Sequence, residues 1–220
     1  MNFLPLSRRV LQCALILLAT TLTTACVSLF PGEATPTQVW YELKDLHPQE
    51  PGNVRPQRDS SKAHTLLIGP VESTAFCDGN MLAFSADGKS RAYYQFASWT
   101  DRPAKRLGVL AEKRLAGGTT FASVAQSTAG IRGDLMLNLT LEECVHDASS
   151  LPGEAQLTFT AELIDWRSRT LIARRTFAGH AAVSQANAIA AVNGMSQALT
   201  EQLDALSAWI ETSLPAAAGH

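Results

Sequence analysis

The sequence predicts an α/β fold, a single-domain sandwich in which a mixed, mostly antiparallel sheet packs against two main helices. Strand-like alternation of apolar and polar residues is clearest in residues 134–143 and 154–165. Residues 185–213 place their apolar side chains in one stripe at helical spacing. A length of 220 residues with 46% hydrophobic residues suits one domain with a sizeable core.

The other elements are justified by shorter patterns. Asp87-Gly88 predicts a tight turn between two strands. Asp101 can cap a helix and Pro103 is tolerated in its first turn. Gly117-Gly118 follows the apolar stripe of this helix and ends it. Further strands are predicted at residues 37–46, 64–71, 80–87, 91–99, 121–126 and 170–179.

The first 26 residues are typical of an export signal. Arg8 and Arg9 precede an apolar run, residues 10–19, which is shorter than the roughly twenty residues that span a bilayer. Small residues then lead directly to Cys26, and such a cysteine is the one that accepts diacylglycerol in lipoprotein signals. We therefore predict a signal peptide at residues 1–25 and lipid attachment at Cys26. The alternative is an ordinary signal cut nearby, with Cys26 left as an unmodified thiol.

The mature chain is expected to have three parts. Residues 26–37, rich in Pro, Gly and Thr, form a lipidated N-terminus and a short tether. Residues 38–214 form the folded domain, and residues 215–220 a disordered tail. Val27 is not the aspartate associated with inner-membrane retention, so we expect the periplasmic face of the outer membrane.

Composition and motifs argue against several classes of function. A net charge of -2 provides no basic field for nucleic acid. The sequence has no glycine-rich phosphate loop, no nucleophile elbow and no metal-ligand spacing, so we predict no enzyme, cofactor or metal. His146 and Asp147 are interpreted as polar groups of a solvated loop. Glu142 and Glu143 are expected on opposite faces of a regular strand.

The cysteines suit an oxidising compartment. Cys13 leaves with the signal and Cys26 takes the lipid, so Cys77 and Cys144 remain. A disulfide between these two and a pair of buried free thiols are both open, because sequence cannot show whether their Cα atoms are within bridging distance.

An aromatic cluster is the strongest candidate for a partner surface. It contains Tyr93, Tyr94, Phe96 and Trp99, and alternation places some of these rings on each face of a strand. If one face is core, the other exposes an aromatic that can dock a partner, so we mark Tyr93, Tyr94 and Trp99. The alternative is simple packing in the core.

Taken in order, several marks make the chain resemble the ABC-type transport auxiliary lipoproteins. They are the signal before Cys26, the strand with Tyr41 and Leu43, the IGPV run ending at Val71, and the aromatic stretch with Trp99 that leads into a helix. The resemblance covers roughly residues 37–213. The chain departs from the family in carrying ESTAFCDGNM where a proline-containing segment is usual.

The resemblance implies a non-enzymatic accessory subunit of a membrane-bound transporter. Such a system contains a permease, an ATPase and an MCE-domain substrate-binding protein, and moves phospholipids or related hydrophobic molecules between membranes. Only Cys26 carries over with a defined role, the attachment of acyl chains such as palmitate. Two other hypotheses stay open: a structural or assembly lipoprotein that binds an outer-membrane barrel or the cell wall, and a periplasmic hydrolase.

Overall fold

A computed structural model describes residues 37–47 and 64–214 of the chain. The predicted signal peptide, Cys26, the tether before Thr37 and the predicted tail lie outside the described residues. The helices are α1 (Pro103–Gly117) and α2 (Ala188–Ser213). The strands are β1 (Val39–Tyr41), β2 (Thr65–Ile68), β3 (Glu72–Ser73), β4 (Met81–Ser85), β5 (Ala92–Trp99), β6 (Ser123–Gln126), β7 (Leu135–Asp147), β8 (Glu154–Asp165) and β9 (Thr170–Ala182).

Strand β7 organises the sheet. One edge of β7 pairs with β8 along almost its whole length, and β8 in turn pairs with β9, both antiparallel. The other edge of β7 is shared in succession by β2, β3 and β4, all parallel to it. Strands β5 and β1 then extend the sheet beyond β4, and β6 extends it beyond β2.

The prediction of a mostly antiparallel sheet is wrong. Among the eight strand pairings within residues 37–47 and 64–214, five are parallel and three are antiparallel. The antiparallel pairs join strands that are consecutive in sequence, where a turn signal is visible. The parallel pairs join strands separated by other elements, and periodicity along one strand carries no information about which distant strand lies beside it.

The two helices cover one face of the sheet. They contact each other, α1 packs on β6 and β7, and α2 packs on β8 and β9. Their buried side chains form one core with alternate residues of β7 and β8, among them Leu137, Leu139, Leu157 and Phe159. The sequence prediction of two helices against a mixed sheet is therefore confirmed, with the helices in a single layer.

The helix starts differ in part from expectation. The Asn187 side chain accepts a hydrogen bond from the Ala190 amide and caps α2. Asp101 does not cap α1, because its carboxylate accepts from the Lys105 ammonium at 2.7 Å and Arg102 occupies the cap position. Ile189, predicted in the apolar stripe of α2, is 57% exposed because it lies in the first turn.

The first predicted strand is shorter than its pattern suggests. Regular strand structure stops at Tyr41, although Leu43 two residues later is buried. The carbonyl oxygen of Leu43 accepts from the Arg106 guanidinium of α1 at 2.9 Å, where a strand neighbour would otherwise bond. The segment after β1 therefore leaves the sheet and runs against the helices.

Candidate functional site

The face of the sheet away from α1 and α2, here called the open face, is polar along its long strands. Thr160 of β8 lies opposite Thr176 of β9, and their hydroxyls are 2.8 Å apart. The Thr160 hydroxyl also lies 2.6 Å from a carboxylate oxygen of Glu142 on β7. These side chains satisfy one another's hydrogen-bonding groups across three strands, and Thr160 at their centre is only 5% exposed.

The open face changes character at β1, β5 and β4. Trp40 and Met81 both pair in register with Ser98, one from each side, so the three side chains project from the same face. The Gln38 amide donates to the Ser98 hydroxyl at 2.8 Å, and that hydroxyl lies 4.0 Å from the Met81 sulfur. Trp40 is 57% exposed and Met81 is also exposed.

Two further rings continue this apolar surface. Tyr93 pairs with Ala83, which follows Met81 by two residues and so shares its face. The ring of Phe76 stacks on Tyr93 with centroids 5.2 Å apart, and both rings are exposed. Trp40, Phe76, Met81 and Tyr93 are hereafter called the apolar patch. Exposed, clustered apolar side chains of this kind mark interaction surfaces.

The three residues predicted for a partner surface separate in the structure. Tyr93 belongs to the apolar patch, and its role in binding stays a prediction. Trp99 is only 1% exposed and lies in the core, so its prediction as a surface residue is wrong. A register shift between β4 and β5 turns the end of β5 inward at Ala97 and Trp99, which alternation alone cannot show.

Tyr94 is half-buried and bonded within the protein. Its hydroxyl lies 2.6 Å from Nδ1 of His146, and burial raises the pKa of that hydroxyl. The other ring nitrogen of His146 lies 2.9 Å from the Pro152 carbonyl oxygen, which can only accept, so Nε2 donates there. His146 is fully buried, and the interpretation of it as solvated loop polarity is wrong. The imidazole holds the turn after β7 against β5.

A β-bulge in β7 changes which face of the sheet its later side chains project from. The register with β8 shifts between Leu141 and Glu143, so the buried series continues at Cys144 rather than at residue 143. Glu142 and Glu143 consequently line the same small cavity, and their prediction on opposite faces is wrong. Glu143 pairs with the Arg91 guanidinium at 3.2 Å.

Cys77 and Cys144 line that same cavity of about 140 Å³. Both are free thiols in the structure and both are buried. Burial raises the pKa of each thiol, and each therefore stays protonated and unreactive in the folded state. The Cys144 sulfur also lies 3.7 Å from the Met195 sulfur of α2, within the core.

Ion pairs attach the segment that follows β1 to both helices. Arg114 of α1, almost fully buried, pairs with the buried carboxylate of Asp45 and with Asp204 of α2. Arg106 of α1 pairs in addition with Glu42. A buried charge is stable only with such partners. The segment that follows β1 is thus held by both helices.

Within residues 37–47 and 64–214, no group of three or more His, Cys, Asp or Glu side chains is placed to hold a metal ion. In the same part of the chain, neither helix is long and apolar enough to cross a membrane.

Sequence reasoning missed three of the four residues of the apolar patch. Tyr41 packs against the core. Because successive side chains of a strand point to opposite faces, the neighbouring Trp40 points away from the core, and the sequence pattern could have shown this. Phe76 and Met81 carry no periodic signal, because they follow an irregular turn and begin a short strand. Only the pairing of β4 with β5 brings them to Tyr93.

The fold defines a class of α/β domains with one helical layer and one open sheet face, and solved structures share it. A crystal structure of a protein from Xanthomonas campestris matches 68% of this chain and 85% of its own, with a TM-score of 0.63 and 19% identity. A second crystal structure matches 79% and 99%, with a TM-score of 0.61 and 14% identity. No curated protein matches the sequence.

The family is identified by the sequence itself. Residues 12–207 match the family described as the ABC-type transport auxiliary lipoprotein component, and the chain belongs to it. The resemblance stated from the sequence is thereby confirmed. Membership implies a lipid-anchored auxiliary protein of the cell envelope that is associated with an ABC transporter.

Proposed function

We propose that the mature chain is an acylated accessory lipoprotein of an ABC transporter that moves phospholipids or other hydrophobic molecules across the periplasm. Cys26 carries the acyl chains, palmitate among them, and residues 1–25 are its signal peptide. Residues 38–214 form the auxiliary domain, which docks the MCE-domain protein of a complex that also contains a permease and an ATPase. The anchor lies in the periplasmic face of the outer membrane.

The observation that carries this proposal is the family match over residues 12–207, which includes Cys26 and almost all of the described fold. The fold adds a mechanical reason. The chain enters the domain at β1 and is then fastened to both helices through Asp45 and Arg114, so a load on the tether is shared by the whole core.

Acylation is tested in the full chain by metabolic labelling with palmitate. Wild type and Cys13→Ser are expected to incorporate the label, because residue 13 is removed with the signal. Cys26→Ser is expected to incorporate none. Label that persists in Cys26→Ser would contradict the assignment of the lipid to this thiol.

Sorting is tested at the residue after the lipid. We expect wild type and Val27→Ser to fractionate with the outer membrane, and Val27→Asp to move to the inner membrane. A wild-type protein found in the inner membrane would contradict the outer-membrane location while leaving acylation intact.

The partner is tested by affinity purification of the tagged full chain from cross-linked cells. An MCE-domain protein together with a permease and an ATPase is the expected result. Recovery of an outer-membrane barrel or of cell-wall fragments in their place would favour the structural or assembly role instead.

A further inference from the structure

We propose that the apolar patch rests on the surface of the bilayer that holds the acyl anchor, with the Trp40 ring in the headgroup region. This inference rests on the acylation of Cys26 proposed above. It adds a second contact between the domain and the same membrane, made by side chains rather than by lipid.

The patch is continuous across three strands. Trp40 and Met81 flank Ser98 in adjacent strands, Tyr93 follows along the same face through Ala83, and Phe76 stacks on Tyr93. An exposed group of three aromatic rings and one thioether can enter a bilayer interface together.

The covalent chain limits how far this patch can lie from the anchor. Trp40 is two residues beyond Gln38, and Gln38 bonds Ser98 at the centre of the patch. Residues 27–37 between Cys26 and Gln38 span at most about 40 Å when fully extended. A compact domain of roughly 180 residues has a radius of gyration near 16 Å and is about 40 Å across. A tether no longer than the domain is wide cannot pass around the domain to its opposite side and still reach the bilayer, so the surface where the chain enters the domain is the one that the tether can bring to the membrane.

The chemistry of the patch suits an interface. Tryptophan and tyrosine prefer the boundary between headgroups and acyl chains, because each has an apolar ring and one polar group. Two ion pairs lie near the patch, Arg91 with Glu143 at 3.2 Å and Arg102 with Asp78 at 3.1 Å, and the Glu142 carboxylate beside Phe76 accepts from the Thr160 hydroxyl. The paired charges add little net charge near the patch, so contact with the membrane is expected to depend mainly on the apolar side chains and only weakly on salt.

The test uses the acylated mature protein in vesicles of phosphatidylethanolamine and phosphatidylglycerol that contain lipid brominated in the upper acyl chain. Bromine quenches a tryptophan that lies in the bilayer. Trp99 and Trp209 are buried in the core, so Trp40 and Trp166 are the two tryptophans that lipid can reach. We expect clear quenching in wild type, loss of most of it in Trp40→Phe, and no loss in Trp166→Phe. Phe at position 40 keeps an apolar ring, so the variant reports depth without removing the patch.

The outcomes separate this inference from the proposed function. The mass of the purified protein first shows whether acyl chains are present, and a chain without them would overturn both. An acylated protein whose Trp40 is not quenched would overturn only the membrane contact. A photo-crosslinker at position 40 is expected to capture lipid, and capture of a second copy or of a transporter subunit would overturn the inference as well.

Discussion

The two faces of the sheet are built from the same strands but are covered differently. On the face toward α1 and α2, Leu137, Leu157 and Phe159 are fully buried in one core. On the open face, the long strands carry polar pairs such as Thr160 with Thr176, and the short strands carry the apolar patch. The difference shows what alternation does along each strand. It places some side chains in the core, where they stabilise the fold, and the others on the open face, where they determine the chemistry of the surface. Substitutions on one face should change folding, and substitutions on the other should change binding.

The largest expected effect compares one phenylalanine from each face. Phe159 is fully buried and stacks on Phe177 with ring centroids 5.1 Å apart. Phe159→Ala leaves a cavity and should lower the free energy of unfolding by about 3 to 5 kcal/mol. Phe76→Ala, on the open face, should lower it by less than about 1 kcal/mol. Urea unfolding of both variants measures the difference, and equal losses would contradict the division of the faces.

A second comparison sets a buried ion pair against an exposed one. Arg114→Met leaves the buried carboxylate of Asp45 without its partner and should cost about 3 to 5 kcal/mol. Arg102→Met breaks the exposed pair with Asp78 and should cost less than about 1 kcal/mol. Thermal unfolding of the two variants provides the measurement. If Arg114→Met were as stable as wild type, the claim that Arg114 holds the segment after β1 against the helices would be wrong.

The reactivity of the Cys77 and Cys144 thiols tests whether the core is closed to solvent. Because burial raises the pKa of Cys77 and of Cys144, the native protein should react with a thiol reagent far more slowly than the denatured protein. After denaturation without reductant, both thiols should be titrated. Finding neither of them free would establish the disulfide that the sequence left open.

The smallest effect concerns the turn between β4 and β5. The backbone amides of Ser90 and Lys89 donate to the Asp87 carboxylate and lower its pKa from 3.8 to about 2. The folded turn therefore favours the ionised form, and its contribution is complete above about pH 4 and is lost as the pH falls toward 2. An NMR titration of the Asp87 carboxyl should give the lowered pKa. A value near 3.8 would show that these hydrogen bonds do not form in solution.

Much of the covered face was predictable because regular elements alternate without interruption. The leucines of β7 and the apolar residues of β8 fall on the core side as their period predicts. The hairpin at Asp87-Gly88 and the long final helix also form where local residues indicate them. In each case the structural preference lies within one short stretch of sequence.

The surface was less predictable because it depends on irregularities and on distant pairings. Trp99 turns into the core at a register shift, and Glu143 joins Glu142 at a bulge. Phe76 and Met81 reach Tyr93 only through the fold of the intervening turn. No period in the sequence encodes these positions, since one extra residue reverses every later side chain.

The central claim is that a lipid on Cys26 ties this domain to the cell envelope as a transporter component. The most direct measurement is the intact mass of the mature chain purified from membranes, with sequencing of its first peptide. The account predicts a chain that begins at Cys26 and carries the added mass of a diacylglyceryl group. A chain that begins at another residue, or at an unmodified Cys26, would contradict it.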